Sequence, residues 1–168
     1  MSIPILIIVF YAALHDIRYN RISNSTVLTI IIIGIIQVVL SSLQYTSIVL
    51  ISPLEAFTGF FISLFISIFL YSSGLFGAGD AKLLASLGII LGPFHILILI
   101  AFSIAFSGLL SILRLSCYGE LLPMLSRWYQ SMKIGYYLKP DSNTVASGAV
   151  PMGGAILLAT VFCEFYMF

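Results

Sequence analysis

The sequence predicts an all-α, polytopic membrane protein with six transmembrane helices, and three observations carry that prediction. The 168 residues are 61% hydrophobic and only 8% charged, against about 25% charge in an ordinary soluble domain. The apolar runs, such as "VLTIIIIGIIQVVL" and "HILILIAFSIAFSGLLSIL", do not alternate, whereas the strands of a membrane barrel would. Finally, every Lys and Arg falls where six spans would leave loops on one side of a bilayer.

A span needs about 20 predominantly apolar residues. The first, roughly 3–19, opens the chain without a basic region before it and without a small-residue cleavage pattern. It therefore reads as a retained helix and not a signal peptide. The second, 25–43, is a near-continuous apolar run. The third, 54–73, begins after a proline and ends at "SSG". The fourth and fifth, 78–92 and 94–113, come from one block, Ala81 to Leu113, too long for a single crossing at about 1.5 Å per residue. The Gly-Pro pair within "LGPF", Leu91 to Phe94, supplies the break. The sixth is 148–167, and residues 114–147 form the longest loop. The whole chain, 1–168, reads as one membrane-embedded domain.

Six helices place three loops opposite the termini. Arg18 and Arg21 belong to the first, Lys82 borders the second, and Arg114, Arg127, Lys133 and Lys139 lie in the third. The positive-inside rule puts these loops in the cytoplasm and both termini outside, as in a multi-pass protein of the cytoplasmic (inner) membrane. Within the third loop, "LLPMLSRWYQSMKIGYYLK" mixes aromatics with bases, as does a segment lying in the inner interface. A net charge of +1 gives no sign of a nucleic-acid partner; the partner the composition implies is the lipid bilayer. Cys117 and Cys163 form no CxxC pair or ligand cluster, so neither a disulfide framework nor a zinc site is expected. No metal or other cofactor is predicted.

The acids are more informative. Glu55 and Glu164 sit near outer helix ends, and Glu120 and Asp141 in the cytoplasmic loop, whereas Asp16 and Asp80 lie within or against spans. An aspartate at the centre of a membrane helix costs roughly 2.5–3.5 kcal/mol on insertion scales. Asp16 is twelve residues past Pro4 on an inward helix, and Asp80 twelve residues before Gly92 on an outward one. Each is therefore about 18 Å from the outer boundary, in the inner half of a core about 30 Å thick. Two acids at matching depth can meet. In a low-dielectric site they cannot both ionise easily, so the pair shares a proton. Such a pair holds a general base and a general acid together.

Gly74, Gly77 and Gly79 precede Asp80. They either admit an extended substrate to the acid or only permit close helix packing. Lys82 reads as a snorkelling topology charge, His95 as a surface histidine, and the cysteines as small apolar residues. On the residues alone three readings stand: a peptidase, an ion- or proton-coupled transporter using the acids as a cation site, and a structural subunit in which they satisfy interhelical polar contacts. The chain shows no inverted repeat, which a transporter would predict.

One resemblance separates these readings. "GAGD", Gly77 to Asp80, matches the GxGD motif of intramembrane aspartyl proteases. "DIRYNRISN", Asp16 to Asn24, resembles the D-x5-I-x-N segment of bacterial type IV prepilin peptidases, and "AVPMGGAILLA", Ala149 to Ala159, is similar to their proline-containing final helix. Ser23 stands where the family usually has proline. The resemblance implies that Asp16 and Asp80 are the catalytic pair, with Gly77, Gly79, Lys82, Ile22, Asn24 and Pro151 as motif support. It also implies a substrate: a prepilin whose short basic leader is cut at the cytoplasmic side, before its hydrophobic helix. Larger relatives carry a cytoplasmic insertion, often with paired CxxC motifs, and methylate the new N-terminus. This chain has no such motif and is similar instead to the short peptidases of tight-adherence (Flp-type) pilus systems and to archaeal preflagellin peptidases. The resemblance thus implies cleavage without methylation. It names neither the pilin cut nor the oligomeric state.

Overall fold

A computed structural model describes residues 3–19, 21–43, 51–138 and 152–166, and the regular structure among them is entirely helical. The helices are α1 (Ile3–Tyr19), α2 (Asn24–Ser42), α3 (Pro53–Ser72), α4 (Ala78–Cys117), α5 (Leu121–Ile134) and α6 (Met152–Tyr166). Three of them, α2, α3 and α4, are long and apolar enough to cross a membrane, and α6 is a shorter apolar helix.

Helix boundaries follow local chemistry. Ser23 caps α2, its hydroxyl accepting from the Ser25 N–H at 3.2 Å. Before α3, Ser52 and Glu55 form a reciprocal capping box with Pro53 behind the cap, each satisfying a backbone donor the first turn leaves unpaired. At the other end of α3, Gly74 takes a left-handed φ of 74°. The Gly74 N–H then reaches the Tyr71 carbonyl and the Leu75 N–H that of Leu70, a Schellman stop that glycine adopts without a Cβ penalty.

The 40 residues of α4 would extend about 60 Å as one straight helix, twice the thickness of a hydrocarbon core. The helical path breaks at Gly92, with φ 72° and ψ 178°, directly before Pro93. That is where the Gly-Pro pair is expected to turn the chain. The loop expected over 114–147 differs: α4 continues to Cys117, and Leu121–Ile134 is helical. Its apolar residues recur three and four apart, which is helix periodicity, in a segment too short to register as a span.

Contacts gather the chain into two compact units, Met1–Phe106 with Pro151–Phe168, and Ser107–Val150. In the first, α1 packs on α6 and on α2, and α2 on α3, around a core including Ile5, Val9, Ile30, Leu83, Leu87 and Ile156. Small residues set the approach of α3 to α4. A Cβ on Gly59 would collide with the Gly88 carbonyl, and one on Gly88 with Ser63 Oγ. The Ser63 hydroxyl donates to the Ala85 carbonyl at 3.3 Å. Lipid supplies no hydrophobic drive between helices, so close backbone approach through small residues takes its place.

Candidate active site

Asp80 occupies the first turn of α4, and Gly77 stands at its cap. The Gly77 carbonyl accepts the first helical bond, from the Ala81 N–H at 3.1 Å. The Gly77 N–H donates back to Asp80 Oδ2 at 3.1 Å, the carboxylate half of a capping box. A Cβ on Gly77 would sit 2.9 Å from Asp80 Oδ2, so any larger residue here would push that carboxylate aside. Asp80 is 7% exposed, and its Oδ1 is buried with no hydrogen-bond partner among the described residues.

Asp16, 6% exposed, lies near the end of α1. Its Oδ2 accepts from the Gly153 N–H at 2.7 Å. Gly153 is the second residue of α6, so its N–H is one a helix start leaves free, and a helix N-terminus favours a carboxylate. The approach is close. A Cβ on Gly153 would lie 2.8 Å from Asp16 Cβ and 2.9 Å from Oδ2.

The turn between α1 and α2 ties the two acids together. Six residues after Asp16, Ile22 packs on Gly79, where an added Cβ would stand 3.1 Å from Ile22 Cβ and 3.3 Å from its backbone nitrogen. Lys82 Nζ donates to Asn24 Oδ1 at 3.2 Å, and the His15 ring Nδ1 lies 2.7 Å from the Arg21 carbonyl. Of the residues singled out in the sequence, Asp16, Ile22, Asn24, Gly77, Gly79, Asp80 and Lys82 thus converge on one neighbourhood; Pro151 lies outside the described residues. Among the described residues, no cluster of three or more His, Cys, Asp or Glu could hold a metal ion.

A model of the type IV leader peptidase family matches residues 3–112, well over half of the chain and including both aspartates. The chain belongs to that family. No curated protein and no solved structure matches it. As a leader peptidase it is a protease, and its family implies a prepilin substrate in general terms.

Gly153 is the residue of this peptidase that sequence reasoning missed, and it lies beyond the family match. Its signal was present in "PMGG": a paired glycine at a helix start marks a place where another chain segment comes close. Nothing in that pattern names the segment, because Asp16 is 137 residues away.

Proposed function

We propose that this peptidase is an intramembrane aspartic endopeptidase that removes the short leader of type IV, Flp-like prepilins at the cytoplasmic face of the inner membrane, without N-methylation. The observation that supports the reading is the pair of buried carboxylates, Asp16 and Asp80, both within the family-matched region, with the α1–α2 turn that follows Asp16 packed on Gly79 beside Asp80.

In this mechanism the two acids share one proton. The ionised carboxylate takes a proton from a water as its oxygen attacks the scissile carbonyl carbon. The protonated partner gives its proton to the carbonyl oxygen. The tetrahedral diol then collapses: the C–N bond breaks, the leaving amine takes a proton from the acid that activated the water, a diol hydroxyl returns its proton to the other carboxylate, and the new carboxyl group forms. Asp80 Oδ1, buried and without a partner among the described residues, is free to accept from the attacking water. The Gly77 and Gly153 N–H groups hold the other oxygens, so each carboxylate keeps one oxygen fixed for orientation. Ile22 and Gly79 keep the α1–α2 turn against the start of α4, and Lys82 and Asn24 fasten its edge.

The same reading takes the chain as one peptidase domain with six spans: α1, α2, α3, the two halves of α4 about Gly92, and α6. The break at Gly92 and the apolar length of α2, α3 and α4 support it. The one-sided distribution of Lys and Arg supports termini on the outer side and aspartates toward the cytoplasm.

The test is processing of a candidate prepilin co-expressed with the wild type, Asp16→Asn or Asp80→Asn, read as a gel shift. Both variants should insert at normal levels and leave the prepilin uncut, because an amide cannot shuttle the proton. Substantial cutting by either variant refutes the shared-proton mechanism.

A further inference from the structure

We propose that α5 is an interfacial helix that docks on the anionic lipid surface of the membrane crossed by α4, with its Leu/Trp/Met face in the acyl boundary and Arg127 and Lys133 among the headgroups. This rests on the membrane reading of α4 and not on the peptidase chemistry.

Three features argue for it. The first is the helix itself, the most amphipathic of those described, with no residue buried. Leu122, Leu125, Trp128, Tyr129 and Met132, three and four residues apart, share one face and are each more than half exposed. Ser126, Arg127, Gln130, Ser131 and Lys133 lie on the rest of its circumference, together with Pro123, Met124 and Ile134. A contiguous apolar face of this kind in water marks an interaction surface.

The second is tethering. Helix α4 ends at Cys117 in a Schellman stop, the Glu120 N–H reaching the Leu115 carbonyl at 3.0 Å, and α5 starts at Leu121. The four steps from Cys117 to Leu121 reach at most about 14 Å. The final turns of α4 still expose Leu109, Ile112 and Leu113, a surface suited to acyl chains. Helix α5 therefore begins within a headgroup layer of lipid. Its 14 residues extend about 21 Å, too short to cross a core of about 30 Å, so a helix of this make-up lies in the interface plane.

The third is charge. Four of the chain's seven Lys and Arg fall between Arg114 and Lys139, with Glu120 the one acid among them. Lys133 Nζ rests 5.9 Å from the Tyr129 ring centroid, at the border between the apolar and polar faces. Lys133 borders the apolar stripe and Arg127 stands across the helix from it, and anionic headgroups attract basic segments of this kind at close range.

Trp128 is the chain's only tryptophan, so the wild-type protein reports on this helix directly. The full chain is reconstituted into phosphatidylcholine vesicles containing an equal mole fraction of brominated phosphatidylcholine or brominated phosphatidylglycerol. Bromines are carried either near the headgroup end of the acyl chain or near its tail. Trp128 emission should be blue-shifted, protected from acrylamide, and quenched more by the shallow bromines than by the deep ones. The phosphatidylglycerol form should quench more than the phosphatidylcholine form. The Arg127→Gln/Lys133→Gln double variant should erase that lipid preference while the depth-dependent quenching remains. Acrylamide quenching without bromolipid quenching puts the helix in water and overturns the proposal. Protection from both quenchers puts it against protein, which also overturns it. Equal quenching by the two lipids removes the anionic partner.

Discussion

The two aspartates are held by the same kind of bond, a backbone N–H on Oδ2, but the donors come from very different distances along the chain. The donor to Asp80 is Gly77, three residues earlier. The donor to Asp16 is Gly153, brought from the far end of the sequence on α6. One carboxylate is set by a local turn and exists once α4 has started. The other is set only when α6 has closed on α1. Half of the candidate site is therefore encoded in four consecutive residues, and half is a product of tertiary packing.

Removing each carboxylate altogether sharpens this contrast most. Asp16→Ala and Asp80→Ala should both abolish prepilin cleavage. Their stabilities should separate. Asp16→Ala strands the N–H of Gly153, a buried residue, at a cost of about 1–3 kcal/mol. Asp80→Ala releases the N–H of Gly77, an exposed residue at a helix start rather than a buried one, so its cost should stay below about 1 kcal/mol. Thermal unfolding of the two variants in the same detergent checks the difference. Equal destabilisation would mean that closure of α6 on α1 does not depend on Asp16.

The two glycines come next. In Gly153→Ala the new methyl meets Asp16 at Cβ as well as at Oδ2, so helices α1 and α6 have to move apart. Overpacking of that kind costs about 1–3 kcal/mol, and displacing a catalytic carboxylate by about 1 Å can cost 100-fold in rate. In Gly77→Ala the methyl meets mainly the carboxylate end of Asp80, at 2.9 Å, which can swing aside. Cleavage should fall about tenfold, and stability should change by less than about 1 kcal/mol. Measuring cleavage and unfolding for both variants checks the ranking. A Gly77→Ala protein as unstable as Gly153→Ala would abolish the local-versus-distant distinction.

The same distinction explains what was legible beforehand. The all-helical class follows from composition, and the break at Gly92 from a Gly-Pro pair inside an apolar block too long for one crossing. Asp80 and its glycines were visible because their geometry is local. Asp16 stands out in the sequence as a costly charge in an expected span, although its contact with Gly153 does not, since one sequence carries no record of which helix closes on which. The segment of α5 reads as interfacial from its aromatics and bases, but its helical form was hidden for another reason. A search for lengths able to span a bilayer passes over 14 residues of mixed polarity, and only the three-and-four spacing of Leu122, Leu125, Trp128 and Met132 reveals a helix there.

The smallest effect belongs to the clasp between Lys82 and Asn24, whose Nζ–Oδ1 distance is 3.2 Å. Both side chains are exposed, so water competes for the bond, and a side-chain contact of this kind contributes about 0.5 kcal/mol or less. Lys82→Met and Asn24→Ala should each slow cleavage by about twofold. The double variant should be no worse than either single one, because both remove the same bond. Lys82→Arg, which keeps a donor at the same edge, should restore most of the rate. A Lys82→Met protein as inactive as Asp80→Asn, beside a nearly normal Asn24→Ala, would make Lys82 a group acting on the reacting atoms. The lysine two residues past Asp80 would then belong with the locally encoded half of the site, and fastening the α1–α2 turn would fall to Ile22 and Gly79.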